Sequence, residues 1–111
     1  MTKSYAIDHD HWASLTIFEQ MGNIYSEVGR AFNAKNRNDV ADRQAAINRA
    51  IELFDATVNA HTIVKSPKSR EILRSKEQFL ELINDDNASD DSIRNLDRYF
   101  MQFAVAARLN R

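Results

Sequence analysis

The residues with the most obvious capacity for chemistry stand together near the start of the chain, in the run Asp8-His9-Asp10-His11. Imidazole and carboxylate groups suit zinc, nickel or copper, and a site needs several of them converging on one ion. Consecutive residues do not converge without help from elsewhere in the fold. The simpler reading is a solvated segment whose aspartates cap a helix. No metal site is assigned on this ground, and no cofactor is expected.

The remaining histidine, His61, lies in the string AHTIVKS, which looks like the phosphoacceptor segment of histidine phosphotransfer domains. Such segments place a lysine three residues after the histidine, in mid-helix. Here Lys65 follows four residues later, and Pro67 indicates that the helix has already ended. A histidine near a helix C-terminus is also where the helix dipole favours a cation. Carboxylate pairs fare no better. A bundle di-iron site needs glutamate followed three residues later by histidine, but Glu52 meets Asp55, Glu71 meets Arg74 and Glu77 meets Leu80. Helical nucleotide pyrophosphatases pair Glu-x-x-Glu with a later Glu-x-x-Asp, and Glu52 with Asp55 supplies just the second half. Nucleases of the helical HEPN type carry an arginine four to six residues before a histidine, a spacing absent here. With no cysteine and two glycines, a thiolate centre or a glycine-rich phosphate loop is excluded as well. No catalytic residue is assigned, and a non-enzymatic protein is expected.

Charge is distributed unevenly although the net charge is −1. Lys65, Lys68, Arg70, Arg74 and Lys76 crowd one stretch against Glu71 alone. Glu77, Glu81, Asp85, Asp86, Asp90, Asp91 and Asp97 then follow against Arg94. One end of the molecule should be basic and the other acidic. The basic cluster is a candidate nucleic-acid contact, because neutralising phosphates supplies most non-specific affinity for RNA or DNA. Head-to-tail association or plain solubility would use the same layout.

These residues must be positioned by helices. Two glycines and one proline leave little punctuation for hairpins or barrels. Apolar residues recur at spacings of three and four in four segments, expected near 14–35, 40–61, 67–83 and 90–109. The first carries Phe18, Met21, Tyr25, Val28 and Phe32, with Thr16 and Glu19 spaced as a capping box. Asp8 and Asp10 offer an earlier start. The second carries Ile47, Ile51, Phe54 and Val58 behind Asp39 as N-cap. Ser66 and Pro67 start the third, which turns Ile72, Phe79, Leu80 and Ile83 inward. Ser89, Asp90 and Asp91 start the fourth, with Ile93, Leu96, Phe100, Phe103 and Ala107 at seam spacing. Short joints favour antiparallel neighbours, so the expected fold is all-α, a single domain forming an up-down-up-down four-helix bundle. Tyr5, Ile7 and Trp12 are too apolar for a free tail and should fold over one end.

Gly22 and Gly29 lie seven residues apart on one side of the first helix, each costing about 1 kcal/mol relative to alanine. Close approach by a neighbouring helix or a second subunit would account for them. They are the candidate self-association residues, and a dimer or higher homo-oligomer is expected. Glu27 with Arg30, and Asp97 with Arg94, stand within reach along their helices. No apolar run approaches the 18–20 residues or so that span a bilayer, and the N-terminus lacks a signal-peptide core, so a cytoplasmic protein without a membrane partner is expected.

Three stretches carry a family resemblance: IFEQMGNIYSEVGRA from Ile17, NRAIELFDATV from Asn48 and RYFMQFAVAARLNR from Arg98. Together they resemble a small uncharacterised prokaryotic all-helical family, in matching order over most of the chain. More distantly, the architecture is similar to the four-helix ribosomal-RNA intervening-sequence proteins and the accessory proteins of diversity-generating retroelements. The resemblance implies a ring-shaped oligomer with a basic surface facing nucleic acid. The chain departs from that pattern in its near-neutral charge, and no functional residue transfers. The leading expectation is a self-associating interaction or scaffold protein. The alternative is a nucleic-acid-binding accessory protein using the basic cluster.

Overall fold

The computed structural model describes residues 8–63 and 68–109, and every regular element among them is an α-helix. There are five: α1 (His9–Ser14), α2 (Ile17–Asn36), α3 (Val40–Ile63), α4 (Lys68–Ile83) and α5 (Asp90–Leu109). The expected Ser66-Pro67 start signal and the residues Tyr5 and Ile7 lie outside the described residues.

The short α1 is the departure from the four expected segments, and its cause is local. Asp8 accepts from the His11 backbone N–H at 3.1 Å and starts one helix. Thr16 starts another eight residues later. Its hydroxyl accepts from Glu19 N–H at 3.1 Å, while the Glu19 carboxylate accepts from Thr16 N–H at 3.0 Å. Two complete caps so close together leave Leu15 extended between them, and the chain breaks there. The end of α2 is a Schellman turn. Asp39 N–H reaches Ala34 C=O and Asn38 N–H reaches Lys35 C=O, with Asn38 at φ 58°, a conformation asparagine adopts readily. Asp39 then caps α3 by accepting from Asp42 N–H, and Ser89 caps α5 by accepting from Ser92 N–H.

Helix α2 packs along both α3 and α5, α3 also packs on α4, and α4 meets α5 over a shorter stretch. Serving two neighbours widens the buried face of α2. Its deepest residues are Gln20, Met21, Ile24, Val28, Ala31 and Ala34. Phe18, Tyr25 and Phe32 of the expected seam lie along its border. At the centre Phe54, Phe79 and Phe100 are fully buried. The Phe54 ring lies 6.2 Å from that of Phe79 and 6.0 Å from that of Phe100, so one residue of α3 joins α4 to α5.

Polar groups fix the elements to one another. Glu27, on α2, accepts from Arg49 of α3 at 2.8 Å and stands 3.5 Å from Arg30. The Tyr25 hydroxyl donates to Asp97 of α5 at 2.9 Å. The last turn of α4 has no cation of its own. Lys35 supplies one from α2, its ammonium donating to the carbonyls of Leu82 at 3.3 Å and Asp85 at 2.8 Å. The region expected to be acidic is therefore mixed: Lys35 reaches into it from α2.

Candidate functional site

The shorter contact between α4 and α5 leaves a groove between them. It is a pair of adjoining hollows of about 380 and 460 Å³ that share Gln78 and Tyr99. The sequence explains why these helices part here. Between the buried Ile72 and Phe79, α4 carries the buried Ser75 and the exposed Gln78, and across the groove α5 carries the exposed Ser92 and Asn95. Leu82 of α4 and Leu96 of α5 also line one hollow, but the polar side chains around them limit the apolar surface over which α4 and α5 can close. Ser75 is buried but satisfied, its hydroxyl donating to Ile72 C=O at 2.8 Å.

Tyr99 divides the groove. Its ring packs edge-on against Phe100 and Phe103, each 5.3 Å away, and its hydroxyl donates to Glu71 of α4 at 3.0 Å. Burial first, and then the bond to Glu71 and its negative charge, push the phenol's pKa well above the ordinary 10. Tyr99 is therefore a neutral donor that ties Glu71 to α5. One hollow is flanked by Arg70 and Arg74, both exposed. The other holds Gln78, Glu81, Ser92 and Asn95.

The basic run is dispersed by this arrangement. Arg70 and Arg74, one turn apart, share the mouth of the same hollow. Lys76 turns to α3 and bonds Asp55 at 2.8 Å. Lys68 lies close enough to His61 for its charge to act on the imidazole. Lys65 lies outside the described residues. Among the described residues, Arg70 and Arg74 have no ion-pair partner.

Comparison with known proteins gives no kin. No family model, curated protein or solved structure matches the chain.

Gly22 borders α5. A Cβ built on Gly22 would meet Ala104 Cα at 3.5 Å, so the close approach at this position is made within the chain. A Cβ on Gly29 would meet nothing within 4 Å, and its φ is not positive. Near Gly22, three large apolar side chains remain in contact with solvent: Phe18 (36% exposed), Met101 (43%) and Val105 (42%). Met101 and Val105 stand on either side of Ala104 along α5.

The histidines separate. His9 and His11 are exposed on α1, and Asp8 is engaged in capping it. Among the described residues, no three His, Asp or Glu side chains gather as a metal site would require. His61 belongs to a polar chain that anchors α1. The Trp12 indole donates to the Thr57 hydroxyl at 2.9 Å, and that hydroxyl donates to Leu53 C=O at 2.7 Å. The buried Gln20 amide donates to Trp12 C=O at 2.8 Å, which leaves its oxygen to accept from His61 Nε2–H at 3.0 Å. Burial and then the Lys68 charge lower the His61 pKa. Neither this network nor the groove was identified from sequence. Gln20 beside Met21 and Gln78 beside Phe79, polar residues at positions bordering an apolar stripe, were the available signals. No helix among the described residues is long and apolar enough to cross a membrane.

Proposed function

We propose that this chain is a non-enzymatic interaction protein that self-associates through the outer surface shared by α2 and α5. In this reading α2 to α5 form an up-down-up-down four-helix bundle, with α1 latched to one end. The antiparallel course is supported by contacts running in opposite order along neighbouring helices. Gln20 pairs with His61 and Glu27 with Arg49; Gly22 meets Ala104 and Tyr25 meets Asp97.

The observation that carries self-association is Gly29. A helix-interior glycine costs about 1 kcal/mol relative to alanine. Neither a positive φ nor an approaching neighbour in its own chain accounts for it. A second copy lying against α2 would. Phe18, Met101 and Val105 supply apolar surface beside the small residues, as the centre of an interface needs. Nucleic-acid contact through the basic run has less support. Lys76 is committed to Asp55, and Glu71 stands between Arg70 and Arg74.

Gly29→Leu tests the proposal with little risk to the fold, since the space beside Gly29 is open. The substitution should raise the chain's intrinsic helix stability by about 0.8 kcal/mol while weakening the oligomer. Sedimentation equilibrium over a dilution series, with thermal melts on the same samples, reads both. An oligomer unaffected by Gly29→Leu, or a wild-type chain that stays monomeric at every concentration, defeats this reading.

A further inference from the structure

The residues lining the α4–α5 groove come from α4 and α5 and include none of α2, so its occupancy is a separate question from self-association. Its walls carry a gradient of charge and hydrogen-bonding groups. At one end Arg70 and Arg74 present two guanidinium groups, one helical turn apart and without ion-pair partners among the described residues. At the other end Glu81 presents an exposed carboxylate with no ion-pair partner among the described residues. Between them Gln78 of α4 and Asn95 of α5 project primary amides that form no hydrogen bond among the described residues. Tyr99 forms the centre of the groove, held in place by Glu71.

Each element of this layout selects a feature of a ligand. A primary amide offers a donor and an acceptor side by side, matching the N–H and C=O of an extended backbone. Paired guanidinium groups bind a carboxylate through charge-assisted, two-pronged bonds. A carboxylate at the opposite end favours an ammonium or guanidinium group. From the midpoint between Arg70 and Arg74 to Glu81 the helix rises about 13 Å at 1.5 Å per residue. Five residues of extended chain cover that distance in four steps of about 3.3 Å each. A nucleic-acid strand would bring negative charge along the whole groove and meet Glu71 and Glu81 on the way. An oppositely charged pair of ends meets no such repulsion.

We infer that the α4–α5 groove binds an extended peptide segment of about five residues, acidic at the Arg70–Arg74 end and basic at the Glu81 end. The backbone is held by Gln78 and Asn95. Charge complementarity at the two ends fixes the direction in which the peptide lies.

A random heptapeptide library displayed on phage, selected against the immobilised full chain, tests this. Enriched sequences should carry an acidic and a basic residue about four positions apart, in one fixed order. Fluorescence anisotropy with an enriched peptide should show affinity falling by about tenfold in Arg74→Glu and again in Glu81→Lys. The triple variant Arg70→Glu, Arg74→Glu, Glu81→Lys should select peptides with the charges in reverse order. All three substituted side chains are exposed, and circular dichroism verifies that the helices persist. Enriched peptides without the charge spacing, or bound equally well by the triple variant, overturn the inference. So does a library that enriches nothing while decauridylate binds the wild type and is lost with Arg74→Glu, an outcome that would assign the arginines to nucleic acid. Gly29→Leu should leave peptide binding unchanged, which separates failure here from failure of the self-association reading.

Discussion

Glu27 stands between two arginines of unequal standing. Arg30 is mostly exposed, its side chain 67% accessible, and its ion pair is of the kind that solvent screens to little effect. Arg49 is half-buried, and the Glu27 side chain is itself just 13% accessible. Removing the carboxylate leaves Arg49 short of its partner in the α2–α3 contact. Glu27→Gln should therefore destabilise the chain by about 1–2 kcal/mol in urea denaturation. Arg30→Ala should change it by less than about 0.5 kcal/mol. The spacing of Glu27 and Arg30 along one helix made their pairing readable in sequence. The stronger partner was not readable, because Glu27 and Arg49 are 22 positions apart and meet through packing alone. Gly29 was recognised as anomalous from sequence, but the open space beside it could be seen just in three dimensions.

At the scale of elements, caps were the most legible features. Thr16 with Glu19, Asp39 and Ser89 all accept the expected backbone N–H groups, because a cap is a contract among residues three apart. The sequence offered both Asp8 and Thr16 as starts without showing that each would be used, which is how α1 came to be a separate helix. Its attachment through Trp12, Gln20, Thr57 and His61 confers a pH dependence whose sign is fixed. The folded imidazole has a pKa below its ordinary 6.5, whereas the unfolded chain titrates near that value. Below pH 6.5 the unfolded state therefore binds more protons, and stability should fall as pH drops through 6.5 toward the folded pKa. Above pH 6.5 His61 contributes no slope. Denaturant midpoints measured across this range should show the decline, and His61→Gln should reduce it. An unaltered slope in that variant would place the dependence elsewhere.

The whole molecule is drawn together by Phe54, fully buried and in ring contact with both α4 and α5. Phe54→Ala should cost about 3–5 kcal/mol, a large share of the roughly 5–15 kcal/mol that holds a typical domain folded. A fall in melting temperature limited to a few degrees would contradict a single shared core. The helical class and the central aromatics were legible because periodicity records which face is buried. The groove was not, since it arises from what α4 and α5 fail to share, and no single helix carries that information. One consequence concerns light. Trp12 is the chain's one tryptophan, and it sits on α1, buried against Thr57 of α3. Its emission spectrum is thus an optical gauge of whether α1 is seated. A shift in colour would signal release of that six-residue helix, even while α3 and its partners keep their ellipticity unaltered.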